Sequence, residues 1–196
     1  MTKLFPIRIA MLASATMLLW LQSCEKPETI NVLAPPGSGH GLVTTIKLTC
    51  INKVAPYDTI SGTWRDLTPD DTNPPDTSLA VLILKKNTVY KVSIEILDET
   101  RIPPREIGEA IIVGANYNIF CFYTSASLGI NLAITRTDLD TNNPPLPIGF
   151  KDNFITTNPS NGLLEIVLRH QPNCKNGSCE TGSVDLDVGF SVSISK

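Results

Sequence analysis

The sequence has few of the residues on which most enzyme sites and nucleic-acid surfaces depend. It contains only two histidines, His40 and His170, which leaves little material for a histidine-based metal site or a Ser-His-Asp triad. The motifs Gly-x-Ser-x-Gly and His-Glu-x-x-His and the dinucleotide-binding fingerprint do not occur. The formal net charge is −3, and the basic residues form no cluster in the sequence, so nucleic acid is not an expected partner. The chain is therefore predicted to be non-catalytic.

The apolar run near the N-terminus is too short to be a membrane-spanning helix. Residues 9–21 form a stretch of 13 residues without a charge, whereas a membrane-spanning helix needs about 20. Lys3 and Arg8 precede the run, and the polar Gln22 and Ser23 follow it. A basic start, a short apolar middle and a small residue before a break are typical of a secretory signal peptide.

The end of this run, Leu21-Gln22-Ser23-Cys24, resembles the bacterial lipobox. In that family the signal peptide is cut before the cysteine, whose thiol carries diacylglycerol and whose new amino group is acylated, for example with palmitate. The resemblance implies that residues 1–23 are removed and that Cys24 anchors the protein to membrane lipid. Two or more acyl chains make such an anchor stable. The alternative is an ordinary secreted protein in which Cys24 has no such role.

Composition divides the remainder into a tether and one domain. Residues 24–41 hold three prolines and three glycines and are expected to be a flexible linker. Residues 42–196 are expected to form a single domain. In this domain apolar and polar residues alternate along several segments, which predicts strands with one buried and one exposed face. The longer predicted strands are 46–50, 90–96, 128–134 and 184–194, and the shorter ones are 60–66, 79–84, 118–124 and 163–170.

One segment has helical spacing. Pro103 and Pro104 are predicted to open a short helix, Ile107 and Ile111 to lie on one face of it, and Gly114 to close it. About eight strands, one helix and no alternation of strands with helices predict an all-β, antiparallel β-sandwich.

The four remaining cysteines predict disulfides in an exported chain. Cys174 and Cys179 flank Asn176-Gly177, a strong turn signal that would bring them face to face, so they are the predicted pair. A zinc site is a less favoured alternative, because the other two cysteines lie in separate predicted strands. Those two, Cys50 and Cys121, form either a second disulfide or two buried free thiols.

An acidic loop suggests a calcium site. Asp138, Asp140 and Asn142 match the first half of a calcium-binding loop, in which oxygen ligands alternate toward one centre. The match then fails, because the sixth position is Asn143 rather than glycine and the twelfth is Gly149 rather than glutamate. Aspartate and asparagine also favour turns without any ion. Calcium binding is thus one of two interpretations of this loop, and no other cofactor is expected.

Several segments together resemble small uncharacterised lipoproteins of Bacteroidetes. They are the lipobox, Thr63-Trp64-Arg65-Asp66, Leu168-Arg169-His170-Gln171-Pro172 and Asp185-Leu186-Asp187-Val188. Such proteins are often encoded beside TonB-dependent receptors. The resemblance implies an outer-membrane lipoprotein that binds a ligand or partner as an accessory to a transporter, on either the periplasmic or the outer face.

Three further expectations accompany this resemblance. Asp58-Thr59-Ile60 resembles an O-glycosylation acceptor of Bacteroidetes, which would make Thr59 the modified residue. The first alternative function is a structural or adhesive, fimbria-like subunit that joins its neighbours by strand addition. A glycan-binding or glycan-cleaving protein is the second alternative, and cleavage would require a pair of carboxyl groups in a cleft.

Overall fold

A computed structural model describes residues 42–68, 73–124 and 130–196 of the chain. The predicted signal peptide, Cys24 and the tether 24–41 lie outside the described residues. Ten strands and one α-helix occur in the described part. The strands are β1 (Thr45–Asn52), β2 (Thr59–Arg65), β3 (Val81–Lys85), β4 (Val89–Asp98), β5 (Arg105–Glu106), β6 (Asn118–Thr124), β7 (Leu132–Arg136), β8 (Lys151–Thr156), β9 (Ser160–His170) and β10 (Ser183–Ser195), and helix α1 is Gly108–Val113.

The strands form two sheets that pack face to face. Sheet A has the order β2-β1-β4-β8-β7, with the short β5 also paired to β4. Sheet B has the order β3-β10-β9-β6. All neighbouring strands are antiparallel except β3 and β10, which are parallel. The architecture is therefore a β-sandwich with one antiparallel and one mixed sheet.

The core lies between the sheets and follows from the alternation in the sequence. In β4, every second residue from Tyr90 to Ile96 is buried, while the residues between them face solvent or are half-buried. Sheet B contributes Phe190 and Ile166 from the facing side, and both are fully buried. Two edge-to-face aromatic pairs, Phe120 with Phe150 and Phe122 with Phe154, join the sheets at one end. Burial of these apolar faces supplies the main driving force for folding.

The two sheets approach each other closely where β2 meets the segment before and within β3. The Thr63 N–H donates to the Leu79 carbonyl oxygen at 2.8 Å, which joins the sheets through the backbone. A Cβ atom at Gly62 would lie 3.0 Å from Leu82 Cδ2 and 3.1 Å from the Val81 oxygen. Glycine at this position therefore permits the close approach.

The predicted all-β sandwich is confirmed, and its details differ in three ways. The strands number ten rather than about eight, because β8 and β5 were not predicted. The parallel pairing of β3 with β10 was also not predicted. The helix is shorter than predicted and begins at Gly108, because Arg105–Glu106 pairs with Leu97 and Asp98 as a strand. Within the described ranges, no helix combines the length and the apolar character that crossing a membrane requires.

Candidate functional site

The outward face of sheet A carries most of its charge as lysine. Lys47 lies on β1, Lys91 on β4 and Lys151 on β8, and Lys53 follows directly after β1. The outward positions of these three strands include one acidic residue, Glu95, which binds Lys47 at 3.2 Å. This face is thus locally positive in a chain whose formal net charge is −3.

Lys53, Lys91 and Lys151 lie on a straight diagonal across the sheet, and we call these three residues the lysine diagonal. The strand register sets this arrangement. Lys91 lies opposite Asn153 of β8, and Lys151 lies opposite Ser93 of β4, two residues further along. On the other side, the Lys53 N–H donates to the Val89 oxygen at 2.9 Å, two residues before Lys91. Each step along the diagonal therefore moves one strand across and two residues along.

The lysine diagonal borders an open depression in the surface. Its volume is about 390 Å³, and its lining includes all three lysines together with Ile51, Ser93 and Asn153. Ile51 is 38% exposed. Val92, Thr137 and the buried Asp152 complete the lining. The depression therefore combines aliphatic surface, three small polar residues and three lysines.

The three lysines differ from Lys47 in their partners. Among residues 42–68, 73–124 and 130–196, no carboxylate oxygen lies within 4.0 Å of the Lys53, Lys91 or Lys151 ammonium group. An ammonium group is a flexible donor of three hydrogen bonds and binds phosphate or carboxylate as a point charge. The arrangement can therefore bind negatively charged groups, and the part of the chain that is described offers it no internal partner.

The acidic loop of the predicted calcium site binds its own backbone. Asp138 Oδ1 accepts a hydrogen bond from the Gly149 N–H at 2.8 Å, and Oδ2 accepts from the N–H groups of Phe150 and Lys151 at 3.0 and 3.2 Å. Both oxygens of this side chain therefore hold the start of β8 in place. This contact positions Lys151 of the lysine diagonal.

Asp140 forms a buried ion pair with Lys175. The Lys175 ammonium donates to Asp140 Oδ2 at 2.8 Å and to the Ala115 oxygen at 2.7 Å. Burial raises the pKa of Asp140, but hydrogen bonds from Lys175, Leu146 and Asn142 outweigh burial and bring the pKa below its usual value. Burial likewise lowers the pKa of Lys175, and Asp140 counteracts that effect.

No group of three or more His, Cys, Asp or Glu side chains in the described ranges is placed to hold a metal ion. Calcium binding by Asp138, Asp140 and Asn142 stays a prediction, and an ion would have to displace the hydrogen bonds that these side chains already make.

A buried aspartate opposite an arginine, beneath the lysine diagonal, was not predicted. Asp152 of β8 lies opposite Arg136 of β7, and both side chains face the interior. Asp152 is 2% exposed, and neither of its carboxyl oxygens has a hydrogen-bond partner in the described structure. Burial raises the pKa of Asp152 to about 8, Asp138 adds to the increase, and Arg136 opposes it. Burial also lowers the pKa of Arg136.

The predicted disulfide pairing is wrong. Cys179 is bonded to Cys121 of β6, with Cα atoms 5.9 Å apart and a sequence separation of 58 residues, so it is not bonded to Cys174. The reason is that residue 179 packs on the outer face of sheet B beside the buried Ile119 and Val167, rather than against its neighbour across the turn. The Tyr123 hydroxyl donates to the Cys179 oxygen at 3.3 Å and holds it there.

Of the two alternatives for Cys50 and Cys121, the second disulfide does not form, because Cys121 is bonded to Cys179. Cys50 is a buried free thiol in the core of sheet A, and burial raises its pKa to about 12. The alternative of a buried free thiol is therefore confirmed for Cys50 and wrong for Cys121. An inward position on β1 explains it, because Cys50 packs there as a small apolar residue.

The other singled-out residues do not join the lysine diagonal. Thr59 begins β2 and is exposed, and its hydroxyl donates to the Pro56 oxygen at 3.0 Å, so glycosylation there stays a prediction. His170 Nδ1 lies 2.8 Å from Asn118 Oδ1 in a strand-to-strand contact. On the outer face of sheet B, burial and the neighbouring Asp187 raise the pKa of Glu165.

Comparison with protein-family models, with curated proteins and with solved structures finds no match to this chain.

Proposed function

We propose that this chain is a non-catalytic, lipid-anchored lipoprotein of the bacterial outer membrane. It binds a ligand or partner as an accessory to a membrane transporter, for which a TonB-dependent receptor is our candidate. The lipobox residues 21–24 support the anchor at Cys24, and the resemblance to Bacteroidetes lipoproteins supports the location and the partner. The observation that carries the binding role is the open depression on sheet A, bordered by lysines without partners among the described residues.

Site-specific photo-crosslinking in living cells tests this proposal. A photoreactive amino acid at Ile51 places the probe in the depression, and Val81 on the outer face of sheet B is a matched control, since the two side chains are 38% and 39% exposed. We expect the Ile51 probe to form an adduct with an outer-membrane transporter or its substrate. We also expect a deletion strain to lose uptake of that substrate.

Equal adducts from both positions would contradict a specific role for this face. Normal uptake of every substrate of the crosslinked transporter in the deletion strain would contradict the accessory role. Both readouts use the full chain in its native membrane, so a folding defect in an isolated fragment does not affect them.

A structural or adhesive subunit is the second candidate, because one edge of sheet A lacks a strand partner. β7 pairs with β8 on one side, and its other edge has no paired strand among residues 42–68, 73–124 and 130–196. Such an edge can accept a strand from a second molecule. Size measurement of the native protein separates the two candidates: heat-stable polymers favour the subunit, whereas a monomer rejects it.

A further inference from the structure

We propose that the lysine diagonal binds a small polyanion, meaning a molecule with two or three phosphate or carboxylate groups. This inference adds the chemical class of the ligand to the proposed binding function. It rests on that function for its biological role, whereas the binding itself can be tested separately. It does not depend on the lipid anchor or on a transporter.

The spacing of the three lysines supports one shared ligand. Diagonal neighbours on adjacent strands lie about 7–8 Å apart, so Lys53 and Lys151 are each within one such step of Lys91. Lysine side chains are long and flexible, and their ammonium groups can converge on one molecule in the depression. A molecule with several anionic groups contacts all three, whereas a single small anion contacts fewer.

The shape of the depression limits the size of the ligand. Its volume of about 390 Å³ lies within the range of about 300–1,000 Å³ that is typical of small-molecule sites. Ile51 and the aliphatic lysine stems cover a carbon skeleton, and the Ser93 hydroxyl and the Asn153 amide can donate hydrogen bonds to anionic oxygens. The depression therefore fits a compact organic anion.

A purely protective role does not explain where these lysines lie. Proteins place lysine on edge strands to prevent edge-to-edge association. Lys91 and Lys151 lie instead on β4 and β8, which are inner strands of sheet A, and Lys53 directly follows β1, the third inner strand. Lys47, on the same face, has Glu95 as its partner, whereas the lysine diagonal brings three like charges together. A bound polyanion would remove their mutual repulsion.

Calorimetric titration of the purified full-length chain in neutral detergent tests the inference, with tripolyphosphate and citrate as probes. The test variants are Lys53→Gln, Lys91→Gln, Lys151→Gln and the combination of all three. Lys47→Gln is the matched control, because it removes one lysine from the same face but one that already has a carboxylate partner. All of these side chains are solvent-facing, and thermal melting of each variant checks that the fold is retained.

We expect tripolyphosphate or citrate to bind, and an increase in salt from about 0.05 to 0.5 M to weaken binding strongly, because exposed charges are screened. Each single substitution in the lysine diagonal should raise Kd about fivefold, and the triple substitution on the order of 100-fold. Lys47→Gln should change Kd less than twofold.

Two further measurements locate the site. Ser93→Glu places a carboxylate between Lys91 and Lys151 at an exposed position, and we expect it to abolish binding without lowering the melting temperature. In NMR spectra, the largest shifts on titration should occur at Lys91, Ser93 and Lys151.

The inference fails if neither probe binds the wild-type chain, or if the triple variant and Lys47→Gln lose the same affinity. Failure of these assays would contradict the polyanion inference and would not affect the membrane anchor or the crosslinking result. A chain that binds polyanions but carries no lipid anchor would contradict the proposed function and support the inference.

Discussion

Replacement of Asp152 by asparagine tests how the interior of sheet A tolerates a buried carboxyl group. Asp152 is 2% exposed and has no hydrogen-bond partner in the described structure. Asparagine has nearly the same shape but never ionises. The substitution therefore removes the cost of keeping a buried carboxyl group protonated at neutral pH and leaves the packing of β8 against β4 and β7 in place.

The size of the effect follows from the pKa of Asp152, which burial raises from 3.8 to about 8. Each unit of difference corresponds to about 1.4 kcal/mol. Below pH 3.8 the carboxyl group is protonated in both the folded and the unfolded chain, and it costs nothing. As the pH rises toward 8, the unfolded chain ionises and the folded chain does not, so stability falls, by on the order of 5 kcal/mol in total.

Urea denaturation of the wild type and of Asp152→Asn at pH 4, 6 and 8 measures this effect. We expect the advantage of the variant over the wild type to be smallest at pH 4, about 0.6 kcal/mol, and to grow at each step as the unfolded chain ionises. All other ionisable groups are shared, so the difference isolates this residue. A variant that is less stable than the wild type at pH 7 would show that Asp152 is ionised and forms an ion pair with Arg136, which would refute the reasoning.

Four other variants test particular contacts by the free energy of unfolding. The double variant Cys121→Ser/Cys179→Ser should lose about 4 kcal/mol of stability through loop entropy, since the disulfide joins residues 58 positions apart. A non-reducing peptide map without this crosslink would contradict the pairing. Gly182→Ala should cost about 2 kcal/mol or more, because φ is +84° and a Cβ there overlaps the backbone of β9. Gly177→Ala should cost about 1 kcal/mol, because φ is +82° but a Cβ there would make only ordinary contacts, at 3.5 Å or more, with Pro147 and Leu146. Equal losses at both glycines would reject the steric argument. Thr156→Val should cost about 1–3 kcal/mol, because the hydroxyl links two backbone groups of the turn before β4; no loss in urea denaturation would mean that water replaces it.

Alternation of apolar and polar residues predicts the strands whose inward positions are apolar. It misses β8, which has an aspartate at an inward position. β10 alternates apolar and polar residues along its length, and its existence and the inward direction of Val188 to Ile194 were predictable. The predicted inward position of Val184 is wrong, because the register shifts between Val184 and Leu186 and leaves Val184 49% exposed. β8 begins Lys151-Asp152-Asn153, three polar residues in a row. Because the inward position is filled by an aspartate, the alternation that marks a strand is absent there.

The candidate site depends on contacts that sequence spacing does not reveal. Lys53, Lys91 and Lys151 come from three separate parts of the chain, and only the order β1-β4-β8 brings them onto one diagonal. The pairing of Cys179 with Cys121 is also non-local, and the nearby turn signal at Asn176-Gly177 pointed to the wrong partner. Local signals decide turns, whereas strand pairing and disulfides depend on the whole topology.

The most direct test of the central claim is the mass of the N-terminal peptide of the native protein, isolated from bacterial membranes without reductant. The account predicts that this peptide begins at Cys24 and carries diacylglycerol and an amide-linked acyl chain. A peptide that keeps residues 1–23, or one in which Cys24 is unmodified or joined to another cysteine, would contradict it.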